Sequence, residues 1–342
     1  MRDVVVAGGG PVGLVAALHA RRAGLDVVVR EPRHGPIDKA CGEGLMPGAV
    51  AALQELGVRP DGHPIAGIRY LDGRHSVDAP FRRGPGRGVR RTVLHGALAA
   101  AVAAAGIPVT GPAVREVADR GDHLVVDGER TRFLIAADGL HSRVRRLVGL
   151  ERPARSPGHR RFGLRRHAAV APWTDFVEVH WSAWGEAYVT PVDDQQVGVA
   201  VLSHRPGGFD ELIGAFPALA DRLAGVELGP VRGAGPLRQR VRARTQGRVL
   251  LVGDAAGYVD ALTGEGLVLG LAQARAAVAA IRSGDPAGYA GAARRLGRRH
   301  TTLTLGLLTA TRLPAVRRGL VPAAHRLPGV FGAVVDQLAR PA

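Results

Sequence analysis

The first thirty residues alternate between apolar runs and glycine-rich breaks. Residues 3–7 form a short β-branched run, which is typical of a buried strand. A glycine turn follows at residues 8–10, and residues 12–23 then have the spacing of a helix that Gly24 ends. Residues 25–30 are β-rich again. The chain is therefore predicted to open with a strand–helix–strand unit.

The same type of pattern continues into the next hundred residues. Residues 91–105 repeat apolar positions at helical spacing and predict a second long helix. Short β-rich runs at 107–110, 123–127 and 133–136 predict three more strands. This part of the chain is therefore expected to continue an α/β scaffold.

The period then changes to two and later changes back. Between about 160 and 205 the pattern alternates, as in residues 177–181, and predicts an antiparallel sheet. Residues 248–252 predict a buried strand, and residues 266–282 predict a long helix. The tail at 300–342 is apolar, with scattered arginine, histidine and proline, and predicts short helices. An α/β scaffold with an inserted β-sheet favours a cofactor domain with an embedded substrate domain.

Composition narrows the classes of protein. The chain of 342 residues is 46% apolar but only 4% aromatic, so aliphatic side chains and alanine must fill its core. Cys41 is the one cysteine, which excludes an internal disulfide and a cysteine-rich zinc site and favours a reducing cytoplasm. No cluster of histidine, aspartate and glutamate in the sequence has the spacing of metal ligands. At its start we find no secretory leader and no membrane span.

The formal charge of +16 comes almost entirely from arginine, since Lys39 is the one lysine among 46 basic residues. Such a charge is typical of proteins that bind nucleic acid or anionic lipid. Because the arginines are spread along the chain and form no long basic block, we favour a coding bias and predict no nucleic-acid partner.

The glycine turn carries the first chemical signal. Residues 8–13 satisfy G-x-G-x-x-G: Gly8 permits the tight turn, Gly10 lets the backbone approach a diphosphate, and Gly13 lets the helix pack on the strand. Glu31 ends the second strand, where a carboxylate accepts hydrogen bonds from the hydroxyls of an adenosine ribose. This combination predicts a dinucleotide that lacks a 2′-phosphate.

Four further motifs follow in order. They are Arg91-x-x-Leu94, Ala137-Asp138-Gly139-x-x-Ser142-x-Val144-Arg145, Gly253-Asp254 and Thr263-Gly264-Glu265-Gly266. Asp254 comes directly after an apolar strand, so its carboxylate needs hydrogen-bonding partners. As a helix N-cap it would also find them.

In this order, from residue 4 to about 282, the motifs resemble the flavoproteins of the para-hydroxybenzoate hydroxylase fold. The resemblance implies non-covalently bound FAD, with the ribityl chain on Asp254 and the flavin ring beside residues 263–266. It implies a cofactor site formed by the following residues: Gly8, Gly10, Pro11, Val12, Gly13, Glu31, Arg33, Arg91, Val114, Asp138, Gly139, Gly253, Asp254, Gly264, Glu265 and Gly266.

The resemblance also implies an α/β fold class with a Rossmann-type FAD-binding domain of the glutathione reductase type, an inserted antiparallel-sheet substrate domain and a helical C-terminal tail. The FAD-binding domain is expected to be discontinuous, the substrate domain to comprise two segments, and the tail to follow. The expected boundaries are 1–70, 88–158 and 240–300 for the first, 71–87 and 159–239 for the second, and 301–342 for the tail.

Residues 39–45, Lys-Ala-Cys-Gly-Glu-Gly-Leu, look most like the geranylgeranyl reductase-like branch of this group. The segment 185–191 and the Thr-Gly-Glu-Gly loop also resemble that branch. Halogenation is not expected, because Trp181 and Trp184 lack the spacing of the halogenase signature.

Three activities remain open within that branch. The preferred one is FAD-dependent monooxygenation, through a flavin hydroperoxide, of a small hydrophobic substrate of aromatic or polyketide type in secondary metabolism. The alternative is flavin-dependent reduction of a carbon–carbon double bond in an isoprenoid or lipid chain, with Cys41 as a candidate proton donor or simply as buried packing. The second alternative is a non-redox flavoprotein in which FAD is structural. Several residues of the predicted sheet are candidates for substrate contact: His167, His180, Trp181 and Tyr188.

Partners follow from the same motifs. The sequence has no second G-x-G-x-x-G, so NAD(P)H is expected to bind transiently as reductant or to be replaced by a separate flavin reductase. The tail carries leucines and valines among Arg312, Arg317 and Arg318, which is typical either of a peripheral membrane segment or of helices that cap an apolar substrate pocket. The chain is expected in the cytoplasm, with peripheral membrane contact as the alternative.

Overall fold

The computed structural model describes residues 1–153 and 160–340. Its helices are α1 (Pro11–Arg22), α2 (Pro47–Glu55), α3 (Arg91–Ala104), α4 (Arg143–Leu147), α5 (Phe209–Ile213), α6 (Pro217–Leu223), α7 (Gly266–Arg282), α8 (Gly288–Ala310), α9 (Pro314–Arg326) and α10 (Pro328–Ala339). Its strands are β1 (Arg2–Ala7), β2 (Val27–Arg30), β3 (Gly44–Leu45), β4 (His63–Ile65), β5 (Gly67–Leu71), β6 (Ser76–Pro80), β7 (Gly86–Gly88), β8 (Val109–Thr110), β9 (Val117–Asp119), β10 (Leu124–Val126), β11 (Glu129–Ala136), β12 (Glu151–Arg152), β13 (Phe162–Ala168), β14 (Phe176–Trp181), β15 (Gly185–Pro191), β16 (Val197–Ser203), β17 (Arg232–Ala234), β18 (Arg240–Val241), β19 (Thr245–Gln246) and β20 (Val249–Leu251).

The first large sheet has a parallel centre in the order β20-β11-β1-β2-β8, with β19 antiparallel at the edge beside β20. β1 pairs in parallel with β2 and with β11, and β11 pairs in parallel with β20. The chain order reverses between β1 and β11, so the loops after these strands diverge there. In open α/β sheets such a switch point forms the crevice in which ligands bind.

Apolar runs form these strands because both faces of the sheet are covered. Val4 and Val6 of β1 lie in a cluster with helices α1, α3 and α7. Val5 and Ala7 point to the other face, into a second cluster with β10 and β20. The apolar positions of β1 are therefore continuous along the strand rather than alternating with polar ones.

Helix α1 lies unusually close to β1 because of glycine. A Cβ atom on Gly13 would stand 1.9 Å from the carbonyl oxygen of Gly8, and one on Gly8 would stand 2.5 Å from the carbonyl oxygen of Ala137. Gly8 also has a φ of +102°, which disfavours residues with a side chain. The roles predicted for these two glycines, a tight turn and close helix packing, match this geometry.

The second large sheet has the order β17-β13-β16-β15-β14-β5-β6. It is antiparallel except where β14 pairs in parallel with β5. On one face Val197, Val199 and Val201 of β16 pack against helices α5 and α6. The opposite face of the same strand, with Ala200 and Leu202, borders a cavity. β16 is thus buried on both faces.

The C-terminal helices cover the far end of this sheet. Phe331 of α10 packs on Tyr70 of β5 with ring centroids 4.5 Å apart, and Val335 joins the same cluster over β6. Arg317 of α9 donates to Glu186 of β15 at 2.8 Å. In the described ranges no helix is long and apolar enough to span a membrane.

Two element boundaries differ from the predicted domain limits. β5 begins at Gly67 and belongs to the second sheet, so this sheet starts four residues before the predicted limit at 71. α8 runs from residue 288 to 310 and crosses the limit predicted at 300. Both differences arise from pairing and packing with distant segments, which local periodicity does not record.

Substituting Gly13 by alanine is expected to destabilise the protein by about 1–3 kcal/mol, since the new methyl group overpacks the α1–β1 contact. The measurement is the midpoint of thermal or urea unfolding. Gly96→Ala in helix α3 is the matched control, because its Cβ would meet open space. That variant should be neutral or stabilising by up to about 1 kcal/mol. Equal destabilisation by both variants would contradict the packing argument.

Candidate functional site

A cavity of about 680 Å³ lies between the switch point of the first sheet and the inner face of the second. On the side of the parallel sheet its walls carry charged residues: Arg33, Lys39, Arg91, Asp138 and Asp254. On the side of the second sheet and α10 they are mainly apolar, with Ile68, Val177, Val179, Leu202, Val335 and Leu338. The cavity therefore suits a ligand with a charged part and an apolar part, and its size is that of a small-molecule site.

The glycine loop forms the charged end. Gly10, Pro11 and Val12 line the cavity, and Pro11 begins helix α1. The nearest atom to a Cβ built on Gly10 is Nη2 of Arg91, 3.8 Å away. Gly10 thus leaves open space over the N-terminus of α1, where backbone N–H groups and the helix dipole favour a phosphate.

Glu31 is buried beneath this loop rather than exposed in the cavity. Its carboxylate accepts a hydrogen bond from the N–H of Gly9 at 2.8 Å and two from the guanidinium of Arg33 at 2.7 and 2.9 Å. Burial raises the pKa of Glu31, but the bonds from Arg33 and Gly9 outweigh it and lower the pKa overall. Arg33 lines the cavity and covers Glu31, so a ribose must share this carboxylate with Arg33 or displace that side chain.

The carboxylate of Asp138 forms hydrogen bonds within its own motif. It accepts hydrogen bonds from Ser142 Oγ at 2.5 Å and from the N–H of Val144 at 2.9 Å. These bonds fix the turn in which Gly139 has a φ of +83°. Asp138 and Gly139 both line the cavity.

The buried guanidinium of Arg145, in the same motif, connects this turn to the Asp254 turn. It donates to the carbonyl oxygens of Leu140 at 3.0 Å and Ala255 at 3.2 Å, and to Gln239 Oε1 at 3.1 Å. Sequence reasoning placed Arg145 in the motif but did not assign it this role. The side chain of Arg145 therefore holds the predicted Asp138 and Asp254 motifs together through hydrogen bonds.

Asp254 is the carboxylate most available to a ligand. It lines the cavity, and within residues 1–153 and 160–340 no group donates a hydrogen bond to its carboxylate. Burial raises its pKa, against the opposing charges of Arg91, Lys39 and Arg145. A buried carboxylate needs donors, and hydroxyl groups of a ligand would supply them.

Two cations face Asp254 across the cavity. In the described part of the chain, the buried Nε of Arg91 has no hydrogen-bond partner. Burial and the charges of Arg33 and Arg91 lower the pKa of Lys39, although Asp254 opposes the shift. Lys39 belonged to the predicted branch motif but not to the predicted cofactor set. With open glycine turns beside them, these groups fit a ligand that carries both phosphates and hydroxyls, as FAD does.

The Thr-Gly-Glu-Gly loop has its glycines, but not its glutamate, on the cavity. Gly264, with a φ of +67°, and Gly266, the first residue of α7, line it. Glu265 instead turns away and lies 2.9 Å from Nδ1 of His300 in α8. Glu265 was predicted as a cofactor-site residue, and its carboxylate anchors the loop to α8.

Val114 was also predicted as a cofactor-site residue. Its side chain is buried in the cluster under the parallel sheet, with Leu124 and Val126, and does not line the cavity. Gly8, Gly13 and Gly253 have backbone roles. Gly253 has a φ of +58° and donates its N–H to Gln273 Oε1 at 2.8 Å.

The branch motif at 39–45 joins the two sheets. Cys41 is half-buried, lines the cavity and accepts a hydrogen bond from the N–H of Glu43 at 3.4 Å. The carboxylate of Glu43 accepts from the N–H of Arg91 at 2.8 Å and lies 2.7 Å from Nε2 of His167 in β13. Glu43 was not among the predicted site residues. The structure shows that its backbone is constrained, since its φ is +58°.

Among the four sheet residues considered for substrate contact, Tyr188 lines the cavity and donates to the carbonyl oxygen of Leu262 at 3.0 Å. His180 points to the opposite face and pairs with Glu178 at 3.2 Å. His167 and Trp181 are buried and do not line the cavity.

No family model matches the chain. Several curated relatives do, and three of them are described here. Digeranylgeranylglycerophospholipid reductase 1 of Methanopyrus kandleri is 32% identical over 322 residues, which cover 83% of this chain and 82% of the relative. Menaquinone reductase of Mycolicibacterium smegmatis is 31% identical, with 85% and 78% covered. Dialkyldecalin synthase of Streptomyces rugosporus is 30% identical, with 79% and 63% covered.

Solved structures share the fold. The p-nitrophenol 4-monooxygenase PnpA of Pseudomonas putida superposes with a TM-score of 0.80 over 100% of this chain and 99% of that one, at 18% identity. The halogenase PltM, solved with phloroglucinol and FAD, gives 0.69 over 83% and 71% at 16% identity. With this fold, the cavity geometry and the sequence relatives, the chain belongs to the geranylgeranyl reductase-like branch of the FAD-dependent oxidoreductases of the para-hydroxybenzoate hydroxylase fold.

Proposed function

We propose that this oxidoreductase reduces a carbon–carbon double bond in an isoprenoid or other lipid chain. The observation that carries the proposal is the apolar half of the cavity, which continues from the second sheet to α10, in a chain whose relatives at 32% and 31% identity are named as reductases. The sequence alone favoured monooxygenation; the relatives favour the alternative.

The described residues offer contacts to several parts of FAD. The N-terminus of α1 and Arg91 would hold the diphosphate, Asp254 the ribityl hydroxyls, and Gly264 and Gly266 the edge of the ring. When bound and reduced, FAD supplies a hydride to one carbon of the double bond. The protein must then deliver a proton to the other carbon and keep water away.

Several proton-bearing side chains line the cavity, and Cys41 and Tyr188 are two of them. Cys41 is proposed as the donor, because its Sγ lines the cavity within the motif shared with the branch. Burial raises the pKa of Tyr188 well above its ordinary value, and its hydroxyl donates to the backbone of Leu262. Tyr188 therefore holds its proton tightly and is better suited to positioning the loop before Gly264 than to giving the proton up.

Features of helix α10 favour a lipid substrate that enters from a membrane surface. Val335 and Leu338 of this helix line the cavity, whereas Val330 and Val334 are 61% and 43% exposed. Nearby Leu327 is also exposed at 59% and follows directly after Arg326. An apolar surface with adjacent arginine suits the interface of an anionic membrane.

A second candidate is catalysis without net redox change. The relative at 30% identity is named dialkyldecalin synthase. The same apolar cavity would fold a polyene chain beside a structural FAD. The two functions differ in the composition of the product, so one assay separates them.

Under argon, with chemically reduced protein-bound flavin and an unsaturated isoprenoid lipid that has no quinone ring, we expect a product with two more hydrogen atoms for each double bond reduced. Mass spectrometry of the extracted lipid measures this. A product of unchanged mass would establish the second candidate. A product that forms only in air and contains an added oxygen atom would restore monooxygenation.

In the same assay Cys41→Ala should lower turnover by about a hundredfold, the usual contribution of a general acid, and reduce the solvent deuterium isotope effect on product formation. Tyr188→Phe is the comparison variant and should lower turnover less, because it loses only the hydrogen bond that positions the loop before Gly264. The reverse order would assign the proton to Tyr188.

Asp254→Ala should weaken FAD binding by about 10- to 100-fold, because hydrogen bonds to a charged group are lost. Fluorescence titration of the apoprotein with FAD measures the dissociation constant. Asp194→Ala is the control, since that side chain is 96% exposed. An unchanged dissociation constant for Asp254→Ala would remove the proposed ribityl contact.

Val330→Glu should reduce binding to vesicles that contain anionic phospholipid, by about tenfold for the loss of one inserted valine. Co-sedimentation measures the bound fraction. Val109→Glu changes an equally apolar residue, 50% exposed in β8, and should bind as the unmodified protein does. If both variants bind vesicles equally, α10 is not the contact surface.

A further inference from the structure

A second, smaller cavity of about 260 Å³ lies behind the Asp254 turn. It is bounded by the short ribbon of β12 and β18, by the segment that follows β18, and by helices α7 and α8. It shares Gly253, Asp254, Tyr258 and Gly266 with the larger cavity, here called the cofactor cavity, so the two cavities are adjacent at one turn.

Four arginines line this cavity: Arg152, Arg240, Arg242 and Arg244. Arg152 and Arg240 are directly opposite each other in the antiparallel ribbon. Like charges at such a pair destabilise a sheet unless something compensates them.

The lining residues that the structure describes carry little negative charge. Asp254 is the one carboxylate among the lining residues the structure describes, and the charges that act on it are those of Arg91, Lys39 and Arg145. Arg242 donates its Nε to the backbone oxygen of Glu151 at 3.2 Å, while the carboxylate of Glu151 lies 3.4 Å from Arg145.

Arg244 is the clearest case of an unsatisfied cation. Within the described ranges its guanidinium has no ion pair and no hydrogen bond, and its Nε is buried. Burial and the nearby charge of Arg294 lower its pKa, while Tyr289 opposes the shift. A half-buried guanidinium of this kind is stabilised by an anion that accepts its forked N–H groups.

We propose that this arginine-lined cavity binds a phosphate or diphosphate group. Its volume admits such a group but is much smaller than that of the cofactor cavity, so the rest of the ligand must extend outward. Thr301 and Gln239 add neutral polar atoms to the same walls. Two sources share this chemistry: the phosphate of a lipid substrate and the phosphates of a dinucleotide reductant.

Isothermal titration of the FAD-loaded protein with inorganic pyrophosphate, at about 0.15 M salt to screen surface charge, tests the site. We expect saturable binding that Arg244→Gln weakens at least tenfold. Arg83→Gln, which removes the same charge from an exposed position outside the cavity, should bind as the unmodified protein does. Flavin content and the thermal midpoint verify that each variant is folded, and Arg242→Gln replaces Arg244→Gln if the latter is not.

Binding that does not saturate, or an equal loss in the Arg244 and Arg83 variants, would overturn the proposal. Competition against pyrophosphate identifies the source. A prenyl diphosphate that competes better than its alcohol indicates a lipid phosphate. A dinucleotide with a 2′-phosphate that competes better than one without it indicates the reductant. Either result supports the site independently of the reaction that the cofactor cavity performs.

Discussion

The buried guanidinium of Arg145 is the interaction on which the organisation of the site depends. It joins the Leu140 and Ala255 carbonyls and Gln239, and so holds the Asp138 turn, the Asp254 turn and the segment before β18 in one arrangement. A buried cation without partners is costly, so these acceptors must all be present together. Both the cofactor cavity and the arginine-lined cavity border the Asp254 turn that this guanidinium holds.

The cofactor cavity divides its chemistry between two sheets. Its charged residues come from the ends of parallel strands at the switch point of the sheet, from the loop at 33–39 and from the first residue of α3. Its apolar residues come from alternate positions of β14 and β16 and from α10. The loop at 39–45 bridges them through Glu43, which binds the backbone of Arg91 and the ring of His167. This division explains how one cavity could bind both a polar cofactor and the apolar substrate proposed here.

Local sequence was sufficient wherever a neighbour within a few residues decides the structure. Helix α7 occupies residues 266–282, as its apolar spacing predicted. Helices α1 and α3 and the predicted strands of the first sheet lie within about three residues of their predicted ends, apart from an earlier start to β11, whereas β9 and β19 were not predicted. The roles of Gly8 and Gly13 could be predicted because only glycine tolerates such close backbone contact. Prediction was weakest where partners are distant in sequence, as for β5, which joins the second sheet through β14.

The sequence by itself determined the fold class, the FAD cofactor and the family, because motifs in a fixed order specify turns and helix ends locally. Tertiary structure decided which carboxylates face a ligand. Glu31 is covered by Arg33, Glu265 is held by His300, and Asp254 alone of these three lies open to the cavity. It also decided that arginines far apart in sequence share one cavity wall. Charge compensation and burial depend on groups that only the folded chain brings within a few ångströms, so no local pattern encodes them.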